Sequence, residues 1–287
     1  VSAPSRAERV PARHLRHPAE VPFYVFMVVL NVAIVALIIR FAIVLPFLPD
    51  RLQGSAGALA VKSALWALLL FIPGLVIVRE TQRASIRAGA VQLSPKQYPD
   101  LYAIVQDFAG TLGLRRRPDI FLANGNGTLN AFAAQAARHD YVVVANELFV
   151  NLYGGNREGL RFILGHEVGH IRLHHVSFWY QLSVAYSSLI PLLGSFLSRL
   201  REYSCDRHGA FLEPGGASGL VLLASGRYTQ DTVDVDELVA QAHTVHGFWV
   251  TLATLPRSHP FTIRRLETLY RLGLFRPRVG PAVGAQA

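Results

Sequence analysis

The sequence predicts a mostly helical α+β protein in which an N-terminal transmembrane helical hairpin precedes a domain with a small antiparallel sheet. Three observations carry that expectation. Two apolar runs, 23–39 extended past Arg40 to Leu48 and then 58–78, each approach the roughly 20 residues needed to span a bilayer. Apolar residues recur at helical spacing at Leu101, Ile104, Val105 and Phe108, and again at Leu160, Ile163, Leu164, Val168 and Ile171. Short strand-like runs, 119–123 and 141–145, are bounded by turn residues.

The first 20 residues are basic, carry no apolar pattern and are expected to be disordered. The hairpin occupies 21–78, with its only interior charges at Arg40, in the linker 49–55, and at Lys62, which lies near the start of the second run and can snorkel. No small-residue cleavage site follows the first run, so a removed signal peptide is not expected. Arg6, Arg9, Arg13 and Arg16 precede the hairpin and Arg79, Arg83 and Arg87 follow it, which predicts that both flanks are cytoplasmic. With 51% apolar and only 16% charged residues, the composition points to a multi-pass protein of the cell membrane. The formal net charge of +9 favours anionic lipid headgroups, and because the basic residues are spread without interleaved aromatics, nucleic acid is not an expected partner.

A main domain is expected over 79–275. Ser94-Pro95 reads as the N-cap and first position of a helix. The strand 119–123 follows, and Gly125-Asn126-Gly127 turns the chain into a strand near Asn130. Arg138-His139-Asp140 turns it back into 141–145. Asn156 caps a helix over 157–175, within which Gly165 and Gly169 imply the close approach of another backbone or simple easing of packing. A third apolar segment, 177–198, is expected to be a membrane-associated hairpin or re-entrant element turning near Pro191. A helix over 235–255 carries His243 and His246 as structural residues, Cys205 reads as a small buried residue, and 276–287 is a disordered tail.

The chemistry concentrates in His166-Glu167-Val168-Gly169-His170. Two histidines four apart lie one helical turn from each other and can share one Zn²⁺. Glu167, beside the first of them, can take a proton from an attacking water as general base. A catalytic zinc needs a third protein ligand, for which Glu202 is the candidate, with Asp206 on the same helical face to orient His166 through its other ring nitrogen; on spacing alone the pair reads equally as an ordinary charged helix face. His174 and His175 are expected to be solvated residues at the helix end. Because Glu202 must share the metal with His166 and His170, the segment between them cannot cross the membrane once. These residues make a zinc metalloendopeptidase the expected activity, with one Zn²⁺ per chain. A catalytically silent membrane scaffold or regulatory pseudoprotease with a structural zinc is the alternative, weakened by the base beside the ligands.

Over 93–266 the chain resembles the HtpX-type membrane-bound zinc metalloproteases, in the peptidase family that also includes the type I CAAX prenyl endopeptidases. The resemblance rests on His166 to His170, on Glu202-Tyr203-Ser204-Cys205-Asp206, on Asn130-Ala131-Phe132-Ala133 ahead of Tyr141-Val142-Val143-Val144, and on Ser258-His259-Pro260 with Arg265-Leu266. It implies a gluzincin-type domain in which His166, His170 and Glu202 bind zinc and Glu167 is the base. It also implies that Asn130, Ala131, Phe132 and Ala133 form an edge strand that pairs with substrate backbone, and that His259 stabilises the oxyanion. Polypeptides, chiefly misfolded membrane proteins, are the implied substrates. The pattern departs from the family at 177–198, where two full spans would be expected.

Overall fold

The structure, a computed structural model, describes residues 15–47, 54–136, 139–153, 155–226, 228–229 and 232–276. Helix α1 (Glu20–Val44) and helix α2 (Ala56–Gly89) are both long and apolar enough to cross a membrane. Large apolar side chains such as Trp66, Leu69, Leu70 and Ile77 stand more than 60% exposed on α2, a surface that water disfavours and a bilayer does not. The linker residues 48–53 lie outside the described residues, as do 1–14 and 277–287 at the two ends.

Two expectations about this region need correction. Residues 15–20 are ordered: Leu15 and Glu20 are both buried, and the His17 backbone N–H donates to Ser204 Oγ at 2.8 Å. Helix α2 does not end at 78 but continues to Gly89. At 1.5 Å per residue its 34 residues run about 50 Å, well beyond a hydrocarbon core of about 30 Å. No breaker follows Pro73 and Gly74 until Gly89, so the charged stretch from Arg79 stays helical and packs Ile86 beside Phe121 and Tyr141.

The strand β1 (Val91–Gln92) leads to helix α3 (Pro99–Thr111). That helix starts four residues later than expected. Ser94 and Gln97 exchange both backbone hydrogen bonds, so Pro95 sits in a tight turn, and Pro99 is the proline that opens the helix.

Strands β2 (Asp119–Ala123), β3 (Ala131–Ala136) and β4 (His139–Ala145) complete a four-stranded sheet of order β1-β2-β4-β3. The expected antiparallel sheet is in fact mixed: β1–β2 and β3–β4 are antiparallel, whereas β2 and β4 pair in parallel, Phe121 opposite Val143. The cause is visible in the residues. Tyr141 to Ala145 are buried on both faces, which demands a central position, so β4 inserts between β2 and β3 and leaves the alanine-rich β3 at the edge.

The remaining elements are helical: α4 (Asn146–Tyr153), α5 (Arg157–Arg172), α6 (Phe178–Ser183), α7 (Leu193–Leu212), α8 (Gly219–Ser225), α9 (Val235–Thr244), α10 (Phe248–Thr254) and α11 (Thr262–Arg271). The expected single helix over 235–255 is two, broken at Gly247, whose φ of 118° is open to glycine and strained for other residues. One core gathers Phe108, Ile120, Val144, Leu160, Leu164, Leu220 and Leu266 from both sides of α5. Between α5 and α7 the apolar insertion forms the short α6, a 3₁₀ turn at Ser187–Leu189 and a reversal at Leu192. It packs on the N-terminal helices: Tyr24 stacks on Tyr180 at 4.4 Å, and Asn31 Oδ1 accepts from the Tyr186 N–H at 2.8 Å.

Candidate metal centre

Helix α5 begins where the Asn156 side chain accepts from the Gly159 N–H at 2.8 Å, and it ends at Arg172, not at 175. His174, in the left-handed region at φ 63°, turns the chain, and the His175 N–H reaches back to the His170 carbonyl at 3.0 Å. This geometry overturns the expectation that His175 is solvated. His174 is exposed, but the turn drives His175 into the interior, where it is buried.

The two glycines of α5 are explained by α7. A Cβ on Gly169 would meet His208 Cβ at 3.0 Å, one on Gly165 would meet Gly209 Cα at 3.3 Å, and one on Gly209 would meet the Phe162 carbonyl at 2.8 Å. The close-approaching backbone is therefore the neighbouring helix. That proximity brings Glu202 opposite the last turn of α5.

His166 Nε2 and His170 Nε2 stand 3.2 Å apart. Glu202 Oε2 is 3.5 Å from the first and Glu202 Oε1 is 3.4 Å from the second. Ligand atoms at about 2.0–2.1 Å from one tetrahedral zinc are separated by about 3.3 Å. Two imidazoles and a carboxylate, spaced in this way, fit such an ion in both donor chemistry and separation. Glu167 is buried and lines the same cleft of about 570 Å³ as these three.

Each histidine is held from behind. His166 Nδ1 donates to Asp206 Oδ1 at 2.9 Å, since a carboxylate can only accept. Asp206 in turn receives the Arg265 guanidinium. Burial pushes the Asp206 carboxyl up, but the Arg265 charge outweighs it and holds it below its ordinary value. Burial likewise raises Glu202, and hydrogen bonds from His166, His170 and His259 overcome it, leaving it well below the usual carboxylate range. For His166, burial opposes the charged ring, yet hydrogen bonds to Asp206 and Glu202 prevail and lift it to about 10.

His170 Nδ1 faces His175 Nδ1 at 3.1 Å, and His175 Nε2 faces Glu20 Oε1 at 3.1 Å. Burial drives His175 down to about 3, so its ring is neutral. Cys205 also lies close, its Sγ 3.6 Å from His175 Nδ1. Burial pushes its thiol well up, which opposes the thiolate a metal would require. His170, His175 and Cys205 are thus a poor second metal site.

The substrate-facing residues expected from the sequence border this cleft. Asn130 precedes β3, and its carbonyl accepts from the Ala145 N–H at 2.8 Å. Hydrogen-bonded pairs alternate along an antiparallel ladder, so Phe132 and Ala134 also bond to β4, while Ala131, Ala133 and Gln135 turn their main-chain groups outward. Arg79 independently agrees with this register, because its guanidinium donates to the outward Gln135 carbonyl. Ala131 and Ala133, beside the histidines, keep an open edge. The 125–127 turn that delivers β3 is gripped by Glu147, whose carboxylate accepts from the N–H groups of Gly125 and Gly127 at 2.9 and 2.7 Å. His259 lines the cleft with its Nδ1 3.0 Å from Glu202 Oε2, a hydrogen bond that raises its basicity.

Sequence reasoning missed Glu20 and His175. A signal existed for Glu20: it is an acid directly abutting a long apolar run, where a charge needs a partner.

Residues 95–190 match the sequence model of Peptidase family M48, a stretch that includes His166, Glu167 and His170 and ends before Glu202. The chain is also similar to Protease HtpX homologs from streptococci. Its likeness to that of Streptococcus gordonii strain Challis is 30% identity over 175 residues, 59% of this chain and 57% of the relative. To that of Streptococcus uberis it is 28% over 183 residues, 62% and 60%. To that of Streptococcus pneumoniae strain Taiwan19F-14 it is 32% over 161 residues, 54% and 52%. The match spans between half and three fifths of the length of these curated relatives. The HtpX-type resemblance read from the motifs is borne out.

Proposed function

We propose, for a chain with an M48-type peptidase segment and two apolar helices, that it is a membrane-bound zinc metalloendopeptidase acting on extended polypeptide. The observation that carries this reading is the convergence, in one cleft, of His166, His170 and Glu202 at zinc-ligand separations with Glu167 and an open strand edge. A zinc ion held by the three would polarise the scissile carbonyl and lower the pKa of water to about 7.

The remaining steps belong to the chain's own residues. An extended substrate adds antiparallel to β3 through the outward groups of Ala131 and Ala133, which lays its backbone across the cleft. Glu167 accepts the proton of the attacking water and returns it to the leaving amine. His259, on the lining of the same cleft, would donate to the oxyanion, and Asp206 keeps His166 in the tautomer that leaves Nε2 free. Recognition through main-chain groups reads little sequence, which suits misfolded membrane proteins as substrates and a quality-control role. The arginines 79, 83 and 87 beyond the apolar part of α2 support a cytoplasmic protease domain.

Comparison of purified wild type with Glu167→Gln in detergent tests this directly, using an unfolded protein such as casein as substrate. Loss of cleavage with zinc retained is the expected result. Cleavage that persists in the variant would sink the assignment of Glu167, and inactivity of a folded, zinc-loaded wild type would favour a scaffold that uses zinc only for its structure.

A further inference from the structure

We infer that Glu20 and His175 are positioning residues for His170, making the first turn of α1 a working part of the metal centre. This rests on the reading of His166, His170 and Glu202 as zinc ligands.

The argument is one of hydrogen bookkeeping along a buried chain. If His170 offers the lone pair of Nε2 to a metal, its hydrogen is on Nδ1. That hydrogen points at His175 Nδ1, 3.1 Å away, which must then accept. The hydrogen of His175 is consequently on Nε2, 3.1 Å from Glu20 Oε1, and the carboxylate is a pure acceptor. Glu20 thus sets the tautomer of both rings. Without an acceptor at that end, His175 can move its hydrogen to Nδ1, where it would confront the Nδ1–H of His170 donor to donor.

Glu20 is itself held by two direct partners besides His175, each braced in turn by a further bond. Ser204 Oγ donates to its second oxygen, and Arg16 Nε lies 3.3 Å from Oε1. The His17 N–H donates to the same Ser204 at 2.8 Å, and Arg207 Nη1 donates to the Arg16 carbonyl at 3.2 Å. Glu20 and His175 are each 2% exposed, so water does not compete for these bonds. The arrangement mirrors that of Arg265 and Asp206 behind His166, but it draws its acid from a residue 155 positions away, at the head of a candidate membrane helix.

The test uses the full chain in detergent, with zinc affinity from chelator competition and the visible absorption of the Co²⁺ form as readouts. His175→Phe and Glu20→Ala should each weaken zinc about 10- to 100-fold, the range usual for groups that orient metal ligands. Glu20→Gln, which keeps an acceptor oxygen, should fall between Glu20→Ala and wild type. All three should alter the Co²⁺ spectrum. Tyr24→Phe, which removes the 2.8 Å Tyr24–Ser183 bond one turn along α1, should change neither readout. Folding of each variant is checked by thermal melting, and Glu20→Gln carries the test should His175→Phe not fold. Wild-type zinc affinity and an unchanged spectrum in folded Glu20→Ala or His175→Phe would overturn this inference alone, as would an equal loss in Tyr24→Phe. A wild type that binds no zinc would overturn the metalloprotease reading and this inference with it.

Discussion

Arg265 holds Asp206 at two points, Nε to Oδ2 at 2.9 Å and Nη2 to Oδ1 at 2.6 Å, in a fully buried fork on the far side of His166. The planar guanidinium fixes the carboxylate's plane as well as its position, something a lysine ammonium cannot do. Arg265→Lys should therefore keep the charge yet loosen His166. The expected outcome is zinc affinity about 10-fold weaker. Isothermal titration of both proteins would check it, and equal affinities would show that charge alone suffices.

The register of β3 makes a paired prediction. Proline at Ala133 removes an N–H that faces away from β4, whereas proline at Phe132 removes one that bonds to Val143. Ala133→Pro should fold and bind zinc normally but lose at least about 10-fold in kcat/KM on unfolded protein, equivalent to about 1.4 kcal/mol. Phe132→Pro should be destabilised, with a lowered melting temperature. The reverse pattern would mean that the opposite set of main-chain groups faces the open edge.

Gly209 sits where α7 touches α5, and the Phe162 carbonyl that its Cβ would strike cannot rotate away. Gly209→Ala should cost about 1–3 kcal/mol in stability through overpacking. Because the displaced helix carries Glu202, zinc affinity should fall with it. Denaturant titration with and without zinc separates the two effects.

His208 supplies a pH dependence. Burial lowers it to about 4, outweighing its hydrogen bond to the Ser204 carbonyl at 2.8 Å. The unfolded chain, with an ordinary histidine near 6.5, binds the proton first as pH falls. Stability from this group is thus present above about 6.5 and is lost progressively toward 4, by up to about 3 kcal/mol. His208→Gln, which retains a donor for the Ser204 carbonyl, should flatten the fall in melting temperature over that window. An unchanged pH profile would assign the acid sensitivity to other groups.

How much of this was legible depended on how far apart the cooperating residues lie. His166 and His170 lie one turn apart on one helix with Glu167 beside the first, so periodicity alone puts them together, and Glu202 and Asp206 share a face for the same reason. The chain from His170 to Glu20 has no such local signature. It depends on a left-handed turn at His174 and on the docking of 15–20 against Ser204, both set by tertiary packing. The sheet was misread for a related reason. Turn residues announce reversals of direction, which β2 and β3 obey, but they do not say which strand lies between them; the unbroken apolar run of 141–145 did carry that information. At Ser94 and Pro99 two prolines competed for one helix start, and only the Ser94–Gln97 pairing resolves the choice.

An unpaired strand edge will accept any chain with free main-chain groups, including the same strand of a second molecule. The guanidinium of Arg79 covers the Gln135 end of β3, bonding also to the Val176 carbonyl at 2.9 Å and to Gln181 at 2.6 Å. What stays uncovered is the short stretch at Ala131 and Ala133. On the proposed reading that stretch would seat a guest peptide, and the same arginine that ends the apolar part of α2 shortens the edge that a second copy of the strand could reach.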